Sequence, residues 1–447
     1  MKRLVVLGGG ESGVGAAVLA KQQGMEVWLS DMGHIKPKYV EMLTKYGIDW
    51  EDGQHTAEKI LNADEIVKSP GIPDTAPLVA EAIRRGIPII SEIELAGRYT
   101  DAKMVCITGS NGKTTTTMLT YHILKEAGLN VGLAGNVGNS LALQVATDPH
   151  DVYVIELSSF QLDNMYEFKA NIAVLLNITP DHLDRYDYKM ENYAAAKFRI
   201  MRNQTSDDSF IYWQDDPIIA AQLTQVETES RLLPFTDRDD ERCAAYIKDG
   251  HMHFDVDGRH WEVSTNQLAL VGRHNMYNSM AAGLSASLLN IQNDVIRNAL
   301  ADFQAVEHRL EYAGTVGGVR YINDSKATNV NACWYALESM NEPVVLILGG
   351  IDKGNDYSEI EKLVTQKVRA IVCLGRDNKK LHDFFDGKVP VVTDATSMPE
   401  CLDKCRHLAS DGMTVLLSPC CASFDLFKNM EDRGNQFKEG VKELMNK

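Results

Sequence analysis

The segment VCITGSNGKTTTT has the residue types and spacing of a loop that binds nucleotide phosphates. A short apolar run leads into Gly109 and the residues up to Thr115, and a helix-compatible stretch follows. Glycine lets backbone amides close on phosphate oxygens, the Lys113 ammonium can neutralise the β and γ phosphates, and the Thr114 hydroxyl is placed to ligate Mg²⁺. The usual motif has glycine at position 107, where this chain has Ile107, so the loop is a variant P-loop. We predict that its ligand is ATP.

Groups that could bind a metal follow two further strand-like runs. Glu156 ends the run VYVIE, and the segment NITPDHLDRY brings Asp181, His182, Asp184 and Arg185 after another run. Ligands bind at the carboxyl ends of parallel strands in open α/β sheets, and carboxylate oxygens suit Mg²⁺. A histidine alone is more often a core or capping residue. Two strand ends behind one P-loop favour a magnesium site.

A lysine follows three alanines in the helix-like segment ENYAAAKFRIM. Most lysines on helices are solvated surface residues. The small neighbours of Lys197 would let a metal centre approach closely, and a lysine shielded from water can become neutral and reactive. Both interpretations remain open on these residues alone.

The opening segment LVVLGGGESGVG is a second glycine-rich loop. Gly8, Gly10 and Gly13 have the G-x-G-x-x-G spacing after an apolar run, and Asp31 ends the next run, VWLSD. Backbone amides at such a helix start bind anionic oxygens. The motif therefore predicts a bound phosphate or carboxylate, and it leaves a nicotinamide dinucleotide, another anion and a bare βα turn open.

Bulk properties exclude several classes of function. The formal net charge of −17, from 62 acidic and 45 basic residues, disfavours binding to nucleic acid or to an anionic membrane. We find no run of about 18 apolar residues and no secretory signal, so we expect a cytoplasmic protein without membrane insertion. The spacing of the eight cysteines favours buried or free thiols over zinc sites or disulfides.

Alternating strand-like and helix-like segments predict an α/β protein of three domains. Its 447 residues suit about three domains of ~150 residues. We predict a Rossmann-like domain at 1–91, a central P-loop ATPase-like domain at 92–304 and a Rossmann-like C-terminal domain at 305–447. The Asp-Gly pairs at 249–250 and 257–258 predict a small antiparallel meander within the central domain.

The motifs together resemble those of a known family. TGSNGKTT, ELSSFQL, NITPDHLDRY, the AAAK helix, GRHNMYN, EHRLE, NDSKATN and SPCCASFD, in this order, closely resemble the Mur ligases of bacterial cell-wall synthesis. The resemblance spans essentially the whole chain. NDSKATN and SPCCASFD look like the segments of those members that add D-glutamate.

The resemblance implies roles for residues of the central and C-terminal domains. The implied ATP contacts are Gly109, Asn111, Gly112, Lys113, Thr114, Thr115, Asn275, Asn278, Arg309 and Asp324. The implied ligands of two Mg²⁺ ions are Thr114, Glu156, His182 and Lys197. Lys197 matches the family lysine that CO₂ converts into an anionic carbamate. The groups implied in catalysis are Lys113, His182 and Lys197.

The resemblance also implies two substrate sites. The site for the sugar nucleotide UDP-N-acetylmuramoyl-L-alanine would comprise Gly10, Glu11, Ser12, Gly13, Asp31 and Asn136. The site for D-glutamate would comprise Thr328, Lys353, Ser423 and Phe424. Met430 departs from the family pattern, which has an aromatic residue at this wall of the glutamate pocket. Lys36 and Lys38 are solvated loop lysines or additional diphosphate contacts.

The implied reaction is amide formation by way of an acyl phosphate, catalysed by a monomer in peptidoglycan precursor synthesis. ATP would phosphorylate the L-alanyl carboxylate, and the amine of D-glutamate would then displace phosphate. Three alternatives remain. A nicotinamide-dependent oxidoreductase would leave GSNGKTT and Lys197 without a role, and a regulator without activity would be expected to lack metal or lysine positions that are present here. A folylpolyglutamate synthase would be expected to lack the Rossmann-like first domain.

Overall fold

The computed structural model describes residues 1–181, 183–270, 272–303 and 307–446. None of the helices in this part of the chain has the length and apolar character that crossing a bilayer would require. The chain divides into two compact units. The first comprises Met1–Leu268 and Tyr277–Phe303, and the second comprises Ala269–Met276 and Gln304–Lys447.

The first sheet of the first unit has five parallel strands in the order β3-β2-β1-β4-β5. Its elements are β1 (Arg3–Leu7), α1 (Glu11–Gln22), β2 (Glu26–Asp31), α2 (Pro37–Lys45), β3 (Asp49–Asp52), α3 (Ala57–Ile60), β4 (Glu65–Lys68), α4 (Pro77–Arg84), β5 (Ile89–Ile90) and α5 (Glu92–Gly97). This order is that of a Rossmann-type half-sheet, and it confirms the predicted Rossmann-like first domain. The sequence DWED of β3 gave no apolar signal, so that strand was missed.

The second sheet has nine strands in the order β14-β13-β12-β11-β10-β9-β6-β8-β7. The strands are β6 (Lys103–Thr108), β7 (Val131–Gly135), β8 (Val152–Glu156), β9 (Ile172–Leu175), β10 (Ser209–Trp213), β11 (Arg231–Phe235), β12 (Ala245–Lys248), β13 (His251–Val256) and β14 (Arg259–Ser264). The helices are α6 (Lys113–Glu126), α7 (Leu141–Thr147), α8 (Ser159–Asp163), α9 (Met190–Phe198), α10 (Pro217–Leu223), α11 (Arg273–Leu288) and α12 (Asn293–Asp302), with 3₁₀ turns at Leu183–Arg185, Arg199–Met201 and Thr265–Gln267.

The predicted antiparallel meander is confirmed in β12 to β14. Its two hairpin turns are Asp249-Gly250 and Asp257-Gly258, and all four residues have positive φ, between 49° and 75°. Two consecutive positive φ angles define the type I′ turn, whose twist matches that of the flanking strands. Asp and Gly tolerate this conformation better than most residues, which is why the pairs were visible in the sequence.

The third sheet lies in the second unit and has the order β15-β16-β20-β17-β18-β19, with only the β15–β16 pair antiparallel. The strands are β15 (Glu311–Val316), β16 (Val319–Asn323), β17 (Val344–Gly349), β18 (Val368–Leu374), β19 (Val391–Ala395) and β20 (Thr414–Cys420). The helices are α13 (Val330–Glu338), α14 (Ser358–Lys367), α15 (Lys379–Phe385), α16 (Met398–Leu408) and α17 (Met430–Met445). The three-sheet α/β architecture agrees with the predicted fold class, whereas the boundaries at 91/92 and 304/305 stay predictions.

A continuous apolar core joins the first two sheets. Side chains of β1 and α1, among them Leu4 and Val18, belong to the same buried cluster as Leu141 of α7 and Ile155 of β8. The amino end of α7 approaches α1 at Gly15. Any side chain there would clash, since a Cβ at Gly15 would lie 2.0 Å from Ser140 Oγ. This packing holds the amino end of α1 next to the loop that leads into α7.

Candidate functional site

Three loops of the first unit follow the carboxyl ends of neighbouring strands in the second sheet. Strands β9, β6 and β8 are adjacent and parallel, with Ile107 opposite Glu156 and Thr108 opposite Leu175. The P-loop follows β6, Glu156 ends β8, and the segment from Asn177 follows β9. The strand order therefore brings the predicted phosphate-binding and metal-binding segments together, as the carboxyl ends of parallel strands require.

The P-loop depends on glycine at two positions. Gly109 has φ 149° and Gly112 has φ 84°, which are conformations that side chains with a Cβ rarely adopt. A Cβ at Gly112 would also lie 2.4 Å from Asn278 Oδ1. The Asn278 oxygen accepts a hydrogen bond from Thr116 Oγ1 at 3.1 Å, so this predicted ATP contact lies against the P-loop helix α6.

The segment after β9 fixes the P-loop through direct hydrogen bonds. The Ser110 amide donates to the Asn177 carbonyl at 2.9 Å, and the Asn111 amide donates to Asn177 Oδ1 at 2.8 Å. Ser110 Oγ donates to the Thr179 carbonyl at 2.9 Å and accepts from the Thr179 amide at 2.9 Å. A loop held this way is pre-organised for its ligand, which lowers the ordering cost of binding.

The side-chain nitrogens of two lysines meet at one carbonyl oxygen. Lys113 Nζ donates to the carbonyls of Gly109 at 2.8 Å and Ser110 at 2.9 Å, and Lys197 Nζ donates to the same Gly109 oxygen at 2.8 Å. Lys197 is only 1% exposed, and its ammonium lies 4.7 Å from the centre of the Tyr193 ring. Burial, and secondly the charge of Lys113, hold the pKa of Lys197 well below its usual value. The predicted reactive lysine is thus a buried neighbour of the P-loop and not a surface residue.

The carboxylate of Glu156 has one oxygen suited to a metal. The residue is 2% exposed, and its Oε1 accepts a hydrogen bond from Asn136 Nδ2 at 2.9 Å. Within the described part of the chain, Oε2 is buried and has no hydrogen-bond partner. An unpaired buried oxygen costs about 1–3 kcal/mol, and more when charged, so this atom fits a bound cation. Predicted ligand Thr114 is also buried, whereas His182 and the side chain of Asp184 lie outside the described residues.

The first glycine loop is occupied by a carboxylate of the protein itself. Asp31 Oδ2 accepts from the Gly9 amide at 2.5 Å, and Asp31 Oδ1 accepts from the Gly33 amide at 2.7 Å. A Cβ at Gly13 would lie 1.9 Å from the Gly8 carbonyl, whereas a Cβ at Gly10 would meet no atom within 4 Å. Gly13 therefore serves the close approach of α1 to β1, and Gly10 leaves open space at the amino end of α1.

The other residues predicted for the sugar nucleotide connect this loop to the central sheet. Glu11, at the first position of α1, accepts a hydrogen bond from the Ser140 amide at 3.2 Å. Asn136 lies in the loop between β7 and α7, and its amide nitrogen donates to the Glu156 carbonyl at 2.9 Å. The structure thus brings Asn136 to the metal-binding candidate Glu156 and Glu11 to the amino end of α7.

Three residues predicted to contact ATP belong to the second unit. Asp324 directly follows β16, and its oxygens accept hydrogen bonds from Ser418 Oγ at 2.9 Å and from the Leu310 amide at 3.3 Å. Burial raises the pKa of Asp324 to about 7, although the Arg309 guanidinium acts in the opposite direction. Asn275 is buried at the start of α11, where its amide donates to the Gly272 carbonyl at 3.0 Å.

The residues predicted for D-glutamate lie in loops that follow the carboxyl ends of strands in the third sheet. Thr328 follows β16, Ser423 and Phe424 follow β20, and Lys353 follows β17, which are three adjacent parallel strands. The last two loops are paired through mutual backbone hydrogen bonds between 351 and 422. Ser423 is buried, Lys353 is exposed and Phe424 is 68% exposed. Met430, at the start of α17, is half-buried.

Sequence reasoning missed two residues that hold the site together. The Tyr193 hydroxyl lies 3.1 Å from Ser110 Oγ, and Tyr193 precedes Lys197 by one helical turn on α9, which was a usable signal. Arg433 is 1% exposed and donates to Ser325 Oγ at 2.9 Å and to the Cys421 carbonyl at 3.2 Å. It therefore joins the loops that carry Asp324 and Ser423, a role that only the three-dimensional packing reveals.

The fold and the site define the class of the protein as an α/β protein with a phosphate-binding loop, a buried lysine and an acidic strand end. Family models match three successive parts of the chain. They are the Mur ligase MurD-like N-terminal domain at residues 2–91, the Mur ligase middle domain at 107–286 and the Mur ligase glutamate ligase domain at 308–421.

Individual relatives agree with the family models. The chain is 62% identical over 445 residues to the UDP-N-acetylmuramoylalanine–D-glutamate ligase of Bacteroides fragilis, covering 99% of this chain and 100% of that protein. It is 60% identical, with the same coverage, to the enzyme of that name from Bacteroides thetaiotaomicron. The crystal structure of MurF ligase from Thermotoga maritima in complex with ADP has a similar fold, with a TM-score of 0.61, 15% identity, and coverage of 94% of this chain and 95% of that one. The chain belongs to the Mur ligase family.

Proposed function

We propose that this chain uses ATP to join D-glutamate to UDP-N-acetylmuramoyl-L-alanine during the synthesis of peptidoglycan precursors. The names of relatives at 62% and 60% identity over the full length support this substrate pair. The observation that carries the mechanism is the meeting of Lys113 Nζ and Lys197 Nζ at the Gly109 carbonyl oxygen. Lys113 places a positive charge there in a protein whose net charge is −17.

The reaction proceeds in two displacement steps. An oxygen of the L-alanyl carboxylate attacks the γ-phosphorus of ATP, forming an acyl phosphate and releasing ADP. The amine of D-glutamate then attacks the acyl carbon, so that phosphate leaves, the amine proton is lost and the amide forms. The first step brings an anionic carboxylate to an anionic phosphate, and Lys113 offsets this repulsion from within the P-loop.

Four groups would hold two Mg²⁺ ions beside the P-loop. They are the Thr114 hydroxyl, the Glu156 carboxylate, His182 and a carbamate on Lys197. The unpaired buried Oε2 of Glu156 supports this assignment. Bound Mg²⁺ supplies charge neutralisation for the phosphate oxygens.

A carbamate on Lys197 would explain why this lysine lies so close to Lys113. The neutral Lys197 amine adds to the carbon of CO₂ and releases one proton, which replaces a buried neutral amine by an anion next to the Lys113 ammonium. The burial of Lys197 and its short distance to the Gly109 oxygen support a role for a neutral amine. Nζ keeps one hydrogen in the carbamate, so its bond to the Gly109 carbonyl can persist.

The sugar nucleotide and D-glutamate would bind at different sheets. Open space at Gly10 and the amino end of α1 suit the diphosphate of the sugar nucleotide, with Glu11, Ser12, Gly13, Asp31 and Asn136 nearby. The match of residues 2–91 to the MurD-like N-terminal domain favours this ligand over a nicotinamide dinucleotide. Lys353, Thr328, Ser423 and Phe424 would bind D-glutamate, with Lys353 attracting a carboxylate. We infer a cytoplasmic monomer.

Phosphate release from ATP tests the reaction directly. We expect release only when the sugar nucleotide and D-glutamate are both present, with L-glutamate and L-lysine at most weak replacements. Release that does not depend on both substrates would contradict the proposed ligase.

The D-glutamate site has its own test. Lys353→Ala should raise KM for D-glutamate at least about tenfold and leave KM for ATP nearly unchanged, because a lost charge contact costs about 1.4 kcal/mol or more. Lys362→Ala, an exposed lysine of α14, is the matched control. A larger effect on KM for ATP than on KM for D-glutamate would show that Lys353 is wrongly placed in this site.

A further inference from the structure

A mixed cluster of side chains that can bind a metal lies at the β19 edge of the third sheet. Cys373 on β18 is directly opposite Asp394 on the edge strand β19, and His382 lies on α15 between these strands in the sequence. One ligand atom from each residue lies within 4.8 Å of the other two. His382 Nε2 and Asp394 Oδ1 are 3.0 Å apart.

The three donor atoms, which lie within 4.8 Å of one another, can be compared with the ligands of a tetrahedral zinc site. Zinc binds sulfur at about 2.3 Å and nitrogen or oxygen at about 2.0–2.2 Å, so neighbouring donor atoms in a tetrahedron lie about 3.3–3.7 Å apart. Cys373 is fully buried, whereas the side chains of His382 and Asp394 are 29% and 55% exposed. The cluster therefore has one ligand in the core and two ligands that reach the surface.

Further groups orient the two outer ligands. The Nδ1 atom of His382 lies 3.0 Å from Asp386 Oδ1, on the opposite side of the ring from Nε2. Asn378 Nδ2 donates to Asp394 Oδ1 at 2.9 Å. A carboxylate on the second ring nitrogen is the arrangement that fixes the tautomer and orientation of metal-binding histidines.

We propose that Cys373, His382 and Asp394 form a site for Zn²⁺ or a similar transition-metal ion, with Asp386 as a positioning residue and water as the fourth ligand. Sulfur, imidazole and carboxylate together are donors that zinc accepts and that Mg²⁺ does not favour. The ion ties β18 and β19 to α15 at an edge of the sheet. Among the cysteines, for which the sequence favoured plain thiols, Cys373 is the exception.

Binding includes the loss of the thiol proton. Burial raises the pKa of the Cys373 thiol to about 12, so the thiol carries its proton when no ion is bound. The sulfur–metal bond forms as this proton passes to the buffer, and the released proton can be counted from the buffer dependence of the binding enthalpy.

The test uses the full chain, stripped of metal with a chelator and then titrated with Co²⁺ and with Zn²⁺. Co²⁺ reports a thiolate ligand through a charge-transfer absorption that oxygen and nitrogen ligands do not produce. We expect this band at one equivalent, its loss on adding Zn²⁺, and its absence in Cys373→Ser. His382→Gln alters a half-exposed residue, so it should fold normally and weaken Zn²⁺ binding at least about a hundredfold, while Asp386→Asn should weaken it about tenfold.

Two variants of α16 are matched controls. His407 has an aspartate four residues away, as His382 does, and Cys405 is a buried thiol of the same unit. His407→Gln and Cys405→Ser should keep both the band and the affinity. The proposal is overturned if no thiolate band forms, if the band survives in Cys373→Ser, or if His382→Gln binds Zn²⁺ like the unaltered chain.

Discussion

The two glycine loops of the first unit follow the same local plan and differ in charge. Each connects a buried parallel strand to the amino end of a helix, β1 to α1 and β6 to α6. Carboxylates surround the first loop, where Asp31 accepts from the Gly9 amide and Glu11 opens the helix. Lysine side chains lie at the second loop, where Lys113 and Lys197 share the Gly109 oxygen.

The different charged side chains at the two loops suit different tasks, which are binding an anion and reacting with one. Backbone amides and a helix end are sufficient to hold a diphosphate that stays intact. A phosphoryl group that is transferred develops charge during the reaction, and fixed cations are needed to stabilise it. The glycine spacing is therefore a guide to where an anion binds, and the charged side chains brought in from elsewhere decide what happens to it.

Removing the lysine of the second loop should have the largest effect. Lys113→Ala should lower ATP turnover about a thousandfold or more, because the phosphate charge is left without compensation. Steady-state phosphate release measures this. Lys125→Ala, in the last turn of the same helix, is the control and should behave like the unaltered chain. Near-normal turnover of Lys113→Ala would show that the lysine of the second loop is not needed for the reaction.

The buried lysine should come next. Lys197→Ala should lower turnover at least about a hundredfold, through loss of the carbamate, and short-chain carboxylic acids in solution should partly restore it. Restoration separates a chemical role from a structural one, because added acid does not repair a misfolded core. Lys189→Ala, an exposed lysine just before α9, is the control, and an active Lys197→Ala variant would make this lysine structural.

Glycines of the first loop should differ in their effect on stability. Gly13→Ala should lower the free energy of unfolding by about 3 kcal/mol, because its Cβ would lie 1.9 Å from the Gly8 carbonyl. Gly10→Ala, with open space and φ of −82°, should unfold like the unaltered chain while raising KM for the sugar nucleotide. Urea unfolding of both variants checks this, and equal stabilities would show that the close approach is not needed.

The smallest effect should come from a buried acid near the first loop. Glu92 Oε1 accepts from Ser140 Oγ and from the Ala142 amide, both at 2.6 Å, and burial raises its pKa to about 7. The folded state keeps this proton between about pH 4.5 and 7 while the unfolded chain loses it, so stability falls as pH rises through that window.

Glu92→Gln lacks this titration and should therefore be more stable than the unaltered chain by about 2 kcal/mol at pH 8, with little difference at pH 4.5. Urea unfolding at the two pH values measures the change. Glu58→Gln, an exposed residue of α3, is the control. If Glu92→Gln raised the free energy of unfolding equally at both pH values, the titration of a buried Glu92 carboxyl would be contradicted.

Much of the fold was predictable because its signals are local. Apolar runs such as VVLILG of β17 and the Asp-Gly turns of the meander are patterns within a few residues. Strands β3 and β15 mix polar with apolar residues and were missed, whereas the short apolar runs of β10 (SFIYW) and β11 (RLLPF) were overlooked. The pairing of these four strands in the sheets was not predicted. The candidate site was predictable as segments, since each segment ends a strand, and the family resemblance then added roles for individual residues.

The amino-acid sequence alone predicted most of the places where a strand leads into a helix, two loops that could bind phosphate, and Lys113 and Thr114 as contacts of such a ligand. Only the tertiary structure decided three contacts. Lys197 bonds to Gly109, which is 88 residues away in the sequence, Asn136 bonds to Glu156, and Asp31 accepts a hydrogen bond from an amide of the first loop. Turn and helix signals depend on neighbouring residues, whereas these contacts depend on the order of strands in a sheet. That order follows from how all the buried faces pack together, which no single segment contains.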